Sequence, residues 1–159
     1  MRPLTPAPIA GVIIKPLVDH ADERQAFREI IRVTDDFFGE GFGQLSHAIM
    51  LPGTIKAWHV HPTQVDWWYV PIGALKLVLH DLRPESPTYH YTQEILMGEI
   101  YPPICVRIPP RVAHGCKVTG GITHLFYVTS GVYTPQEEGR IPHDDPDIGY
   151  NWLALPPIK

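Results

Sequence analysis

Three histidines and an aspartate stand where they can do chemistry. His59 and His61 lie two positions apart in the stretch Gly53 to Gly73, which reads GTIKAWHVHPTQVDWWYVPIG. On a strand, side chains two apart project to the same face. The neighbours Trp58, Val60, Trp67, Trp68, Tyr69 and Val70 are aromatic or β-branched, as strands favour. Pro62 and Thr63 break the run, so it reads as two strands joined by a short turn. Both imidazoles then share one space, with Asp66 just across the turn. Burying such polar groups costs free energy unless they are paired, which marks the cluster as a site. His114, flanked by Ala113 and Gly115, is the third histidine of interest. Neutral imidazole, with a pKa near ~6.5, is a competent general base. Imidazole and carboxylate together also suit Fe, Mn, Ni, Zn or Cu.

These residues need strands to position them, and the chain supplies many. Strands are expected at Val12–Pro16, Gln44–Met50, Thr54–His61, Val65–Val70, Ala74–Asp81 and Tyr89–Leu96. Others are expected around Ile104–Ile108, at Cys116–Val118 and at Thr123–Thr129. Leu75, Leu77 and Leu79 alternate with Lys76, Val78 and His80, a half-buried pattern. Asp22–Phe38 carries Phe27, Ile30 and Ile31 at helical spacing, and the pattern leaves helix or strand open. Residues 1–20 form a Pro-rich arm that packs on its own domain or on a partner, and a Pro-rich tail follows Thr129. Many short strands with turn signals between them mean a sandwich or barrel.

Composition narrows the classes. The 159 residues suffice for one domain with a real core, 1–159. Thirteen Gly and eighteen Pro favour turns and short strands over long helices. A net charge of −4 argues against nucleic acid as a partner. No apolar run reaches the length of a membrane span, and the Pro-broken start lacks a signal-peptide core. A cytoplasmic protein is expected, without nucleic-acid or membrane partners. Cys105 and Cys116 read as small buried residues rather than a disulfide framework. Trp58, Trp67 and Trp68 read as core or pocket wall, and Ser86-Pro87-Thr88 as a turn. His20, His47, His80, His90, His124 and His143 receive no role.

Two resemblances then enter. Gly53, His59-Val60-His61, Asp66 and Gly73 are spaced like the first motif of the cupin superfamily, with Asp66 where Glu is usual. Pro109 and His114 fit the second motif, with Arg111 where Gly is usual and Val118 where Asn is usual. More closely, the chain resembles the dTDP-4-dehydrorhamnose 3,5-epimerases from about Asp22 to Trp152. Asp22-Glu23-Arg24-Gln25-Ala26-Phe27-Arg28-Glu29 is similar to the family's D-x-R-G-x-F-x-E segment, with Gln25 replacing Gly. Asp81-Leu82-Arg83-Pro84-Glu85-Ser86-Pro87-Thr88-Tyr89 matches its D-x-R-x-x-S-P-T-[FY] signature. Ile108-Pro109-Pro110-Arg111-Val112-Ala113-His114-Gly115 resembles its I-P-x-G-x-A-H-G run. Tyr127 and Tyr133 match paired tyrosines before a Pro, and Asp145 to Trp152 resembles the closing D-P-x-x-x-x-x-W.

The resemblance implies an all-β cupin jelly-roll barrel, a homodimer, and epimerisation of a nucleotide-diphosphate sugar bearing a 4-keto-6-deoxy group. A C4 ketone acidifies the C–H bonds at C3 and C5. A base removes the proton, an enolate forms, and an acid returns a proton from the opposite face. By position His59 is the base and Tyr127 the acid, with His114 a polar neighbour. Arg24, Glu29, Lys56, Arg83 and Tyr133 are candidates for holding the substrate. Lys56 replaces Arg, supplying charge without a bidentate fork. The chain also departs from the family. Asp66 stands where the family has an enolate-stabilising Lys, and His61 where histidine is unusual. The family's base leans on an Asp beyond the closing Trp, a role for which Asp66 is the substitute here. This leading reading needs no cofactor. A first alternative is a metal-dependent cupin enzyme holding one divalent transition metal on His59, His61, Asp66 and His114; a ligated His59 could not then act as base. A second is a nucleotide-sugar-binding cupin without catalysis.

Overall fold

A computed structural model describes residues 8–158. In chain order the strands are β1 (Ile13–Pro16), β2 (His20–Ala21), β3 (Ala26–Phe27), β4 (Gln44–Met50), β5 (Ile55–Val60) and β6 (Asp66–Ile72). They continue as β7 (Ala74–Asp81), β8 (Thr92–Gly98), β9 (Ile104–Ile108), β10 (Val112–Val118), β11 (Thr123–Thr129) and β12 (Gly139–Arg140). Ten of them form two five-stranded antiparallel sheets, ordered β1-β9-β6-β11-β4 and β12-β5-β10-β7-β8, while β2 and β3 pair as a separate hairpin. Alternating strands turn one face inward, so Leu75, Leu77 and Leu79 meet Trp68, Val106, Ile108 and Leu125 between the sheets. Each such fully buried side chain stabilises the fold by about 2 kcal/mol. No helix among the described residues is long and apolar enough to cross a membrane.

The strand expectations at Gln44–Met50, Ala74–Asp81 and Thr123–Thr129 agree with the structure at both ends. Four readings, one of them the burial of β7, need correction or are resolved. β7 is buried on both faces, not half-buried, because the C-terminal segment lies over its outer side: Val78 packs with Trp58, Ala113 and Trp152. β8 starts at Thr92 rather than Tyr89, because residues 83–91 turn around Asp81 and His90 takes a φ of 67°. β10 extends back to Val112, four residues before Cys116. Asp22–Phe38 is a hairpin followed by a short 3-10 turn at Asp36–Phe38. Asp22 accepts hydrogen bonds from the backbone N–H of Arg24 (2.8 Å) and of Gln25 (3.2 Å), which reverses the chain before a helix can propagate. The first seven residues of the Pro-rich arm lie outside the described residues. The rest of the arm packs on its own chain, with Ile9 in the core.

Candidate active site

A cavity opens between the two sheets, and both supply its walls. β5 contributes Lys56 and His59, β6 Asp66 and Trp68, β10 His114 and Cys116, and β11 Leu125 and Tyr127. Lys56 and His59 are three apart, so strict alternation would put them on opposite faces. The pairing of β10 with β5 slips between them: His114 faces His59, but Cys116 faces Lys56, leaving one extra residue on β5. Such a bulge resets the alternation. It sends both Lys56 and His59 inward, and it turns Trp58 outward onto Trp152, ring centroids 5.0 Å apart. Gly115 lies opposite the bulge; a Cβ there would come within 2.7 Å of Ala57 Cβ and 2.8 Å of the Trp152 ring.

His61, Asp66 and His114 form a buried knot. His61 Nε2 and His114 Nε2 lie 3.7 and 3.8 Å from the same oxygen, Oδ2 of Asp66. Gln64 Nε2 donates to Asp66 Oδ1 at 3.0 Å, and Trp68 Nε1 donates to Oδ2 at 3.3 Å. Burial opposes ionisation of Asp66, but the neighbouring His61 and His114 imidazoles and the hydrogen bond from Gln64 outweigh it and hold the carboxyl below its ordinary value. Burial likewise opposes a charged His61, yet Asp66 and the Glu137 carbonyl raise its pKa overall. His114, more deeply buried, is pushed down to about 4.

His59 stands apart from that knot. Its ring is stacked toward His114, centroids 6.1 Å apart. Burial lowers its pKa; the charge of Glu138 opposes this, while Arg140 and Lys56 reinforce it. A neutral imidazole facing the cavity is in the protonation state a base requires. The acid whose field acts on His59 is thus Glu138, whereas Asp66, expected in that supporting role, faces His61 and His114.

The remaining candidates divide. Lys56, Tyr127 and Tyr133 line the cavity together with His59, His61, Asp66 and His114. Arg24, Glu29 and Arg83 do not. Arg24 is on the exposed β2–β3 hairpin, paired with Asp22, and Glu29 pairs with Arg32. Arg83 is held inside a structural network: it donates to Asp81 Oδ1 (2.8 Å) and Oδ2 (3.0 Å) and to the Ala10 carbonyl. Ser86 and Thr88 hydroxyls also donate to Asp81, each at 2.7 Å, so the D-x-R-x-x-S-P-T run ties the N-terminal segment to β7. Sequence reading missed Gln64, Glu137 and Glu138, which line the cavity too. The two glutamates belong to a segment with no hydrophobic periodicity, and only the pairing of β12 with β5 brings them in.

Comparison with known proteins gives this cavity a context. The family model for dTDP-4-dehydrorhamnose 3,5-epimerase matches residues 6–159. The chain belongs to this family. The spore coat polysaccharide biosynthesis protein SpsL of Bacillus subtilis is 43% identical over 147 residues, covering 91% of this chain and 96% of that protein. The crystal structure of a dTDP sugar isomerase from Desulfovibrio desulfuricans superimposes with a TM-score of 0.87 at 27% identity, covering 96% and 97% of the two chains. NovW of Streptomyces spheroides, a 4-keto-6-deoxy sugar epimerase, gives a TM-score of 0.83 at 25% identity, with 96% and 80% covered. The epimerase fold, a cupin jelly roll, is the two-sheet architecture described above.

Proposed function

We propose that this protein epimerises the 4-keto-6-deoxy sugar of a nucleotide-diphosphate sugar at C3, or at C3 and C5, in deoxysugar biosynthesis. The observation that carries the reading is His59 and Tyr127 facing one cavity from opposite sheets, in a chain of an epimerase family. In this mechanism neutral His59 removes the proton next to the ketone. The enolate then collects a proton from Tyr127 on the other face, which inverts the carbon. Glu138 favours the imidazolium that His59 becomes. Lys56 at the cavity wall supplies positive charge for the diphosphate, and Tyr133 at the mouth offers a ring to the base. These proton transfers need no cofactor.

The assembly we propose is a homodimer in the cytoplasm. Leu45 and Ile49 are 58% and 61% exposed on the outer face of β4. Leu45 also lines an apolar groove with Ile30, Ile31, Tyr69 and Phe126, a surface suited to a second copy. In such a dimer the exposed β2–β3 hairpin is free to present Arg24 to the partner's cavity. Light scattering on the eluting protein reads the stoichiometry, and a Leu45→Glu, Ile49→Glu variant should elute as monomer.

The activity test is incubation with 4-keto-6-deoxy sugar nucleotides in deuterated water. Label at C3, with or without C5, and an inverted product support the reading. Tight binding without exchange would make the protein a nucleotide-sugar-binding cupin instead.

A further inference from the structure

The knot of His61, Asp66 and His114 has an unusual hydrogen-bond balance. His61 Nδ1 lies 2.5 Å from the backbone carbonyl of Glu137, and His114 Nδ1 lies 3.3 Å from that of Val112. A carbonyl only accepts, so in each ring Nδ1 carries the hydrogen and donates it. A neutral ring then presents a lone pair at Nε2. Both lone pairs converge on Asp66 Oδ2, which is itself an acceptor. Three acceptor atoms within 4.8 Å of one another, all on residues no more than 7% exposed, repel unless something positive sits among them.

We propose that His61, Asp66 and His114 form a binding site for one divalent first-row transition metal ion, with His59 outside the ligand set. Two imidazoles and one carboxylate are a donor set that Zn, Mn and Fe accept. A tetrahedral ion with bonds near ~2.0 Å holds its ligand atoms about 3.3 Å apart. The observed 3.7 and 3.8 Å to Asp66 need to close by a few tenths of an ångström, and the two histidine nitrogens, within 4.8 Å of each other, by up to about 1.5 Å. The supporting contacts are those of a built site. Each histidine has its far nitrogen anchored on a backbone carbonyl, and the carboxylate is oriented by Gln64 and Trp68. Such contacts fix the tautomer and aim the ligand. The three ligand residues line the same cavity as His59 and Tyr127. Under the epimerase reading an ion held there would offset the charge of Asp66 in the cavity where the enolate develops. The site itself does not depend on that reading, because metal content is measured without substrate.

The test is metal per chain, by elemental analysis of untagged protein purified without chelator, followed by chelation and titration with Co2+ under visible spectroscopy. The expected result is near-stoichiometric transition metal and, with Co2+, absorption bands of a low-coordinate ion. Asp66→Asn and His61→Ala should each weaken binding by at least the roughly 100-fold that even a supporting residue can cost, with circular dichroism showing the fold intact. His59→Asn should keep the metal. A wild-type protein that holds no metal and gives no Co2+ bands at millimolar ion overturns the proposal; a protonated His61 then supplies the positive charge. Loss of metal in His59→Asn equal to that in His61→Ala overturns the ligand set. Deuterium exchange at C3 by a protein that holds no metal and gives no Co2+ bands would leave the epimerase reading intact while removing this one.

Discussion

His61 and Glu137 are 76 positions apart in the chain, yet the His61 imidazole donates from Nδ1 to the Glu137 carbonyl across 2.5 Å. The Glu137 carboxylate holds the same turn from its other side, accepting from the backbone N–H groups of Thr63 and Gln64, each at 3.1 Å, and from the Thr63 hydroxyl. The C-terminal segment therefore clasps the turn that carries the site. Glu137→Ala removes three accepted hydrogen bonds and should destabilise the protein by about 1 kcal/mol, since the turn is partly open to solvent. The thermal midpoint should fall by about 2–4 °C. An unchanged midpoint would mean the clasp contributes nothing.

The two cavity-facing groups proposed as base and acid, His59 and Tyr127, should separate under isotope labelling. His59→Asn removes the base, so both exchange and inversion should fall by roughly 100- to 10,000-fold. Tyr127→Phe removes the opposite-face donor. His59 can still take the proton and return a solvent-exchanged one to the same face, so label should enter without inversion. Mass spectrometry reads the label and product NMR reads the configuration. Loss of exchange in Tyr127→Phe as complete as in His59→Asn would refute this division of roles.

Asp81 should govern part of the acid limb of stability. Burial disfavours its charge, but hydrogen bonds from Arg83, Ser86 and Thr88 outweigh that and hold its pKa far below the ordinary value. In the unfolded chain the group titrates near ~3.9. A depressed folded pKa means its stabilisation is complete above that value and declines as pH falls below it. Asp81→Asn should cost about 3 kcal/mol at neutral pH, because the Arg83 guanidinium loses its buried partner. The variant should also lose less stability than the wild type between neutral pH and strong acid. Urea melts across that range make the comparison.

Arg111 occupies a left-handed conformation, φ 60°, while its backbone N–H donates to the His61 carbonyl at 2.8 Å. A side chain there crowds the following carbonyl, which glycine avoids. Its salt bridge with Glu85 is exposed and adds little. Arg111→Gly should raise stability by about 0.5–1 kcal/mol, seen as a higher midpoint. A lower midpoint would show that the Arg111 side chain does more than pair with Glu85.

Cys105 and Cys116 are free and buried, and burial raises their thiols to about 12 and about 11. The thiolate is the reactive form. Native protein should leave both untouched by a thiol-directed disulfide reagent at neutral pH, and denaturant should expose two equivalents. Rapid reaction in the native state would contradict the burial.

Much was legible from local pattern. Period-two alternation is imposed by the strand backbone itself, so β4, β7 and β11 could be bounded from residues 44–50, 74–81 and 123–129 alone. The same rule put His59 and His61 on one side, and the ordered motifs pointed to the family that residues 6–159 match. What the tertiary structure decided has longer reach. The bulge opposite Gly115 sends Lys56 inward beside His59, and it depends on how β10 registers against β5, not on either strand's own sequence. Both faces of β7 are buried because a segment some seventy residues later folds over it. Arg83 was read as a substrate group from its motif, but its charge is taken by a neighbour two residues away. Glu137 and Glu138 reach the site through the pairing of β12 with β5. Alternation is a property of one strand and survives in the sequence; registry between strands and the closure of a tail over a sheet are many-body packing outcomes that no local pattern encodes.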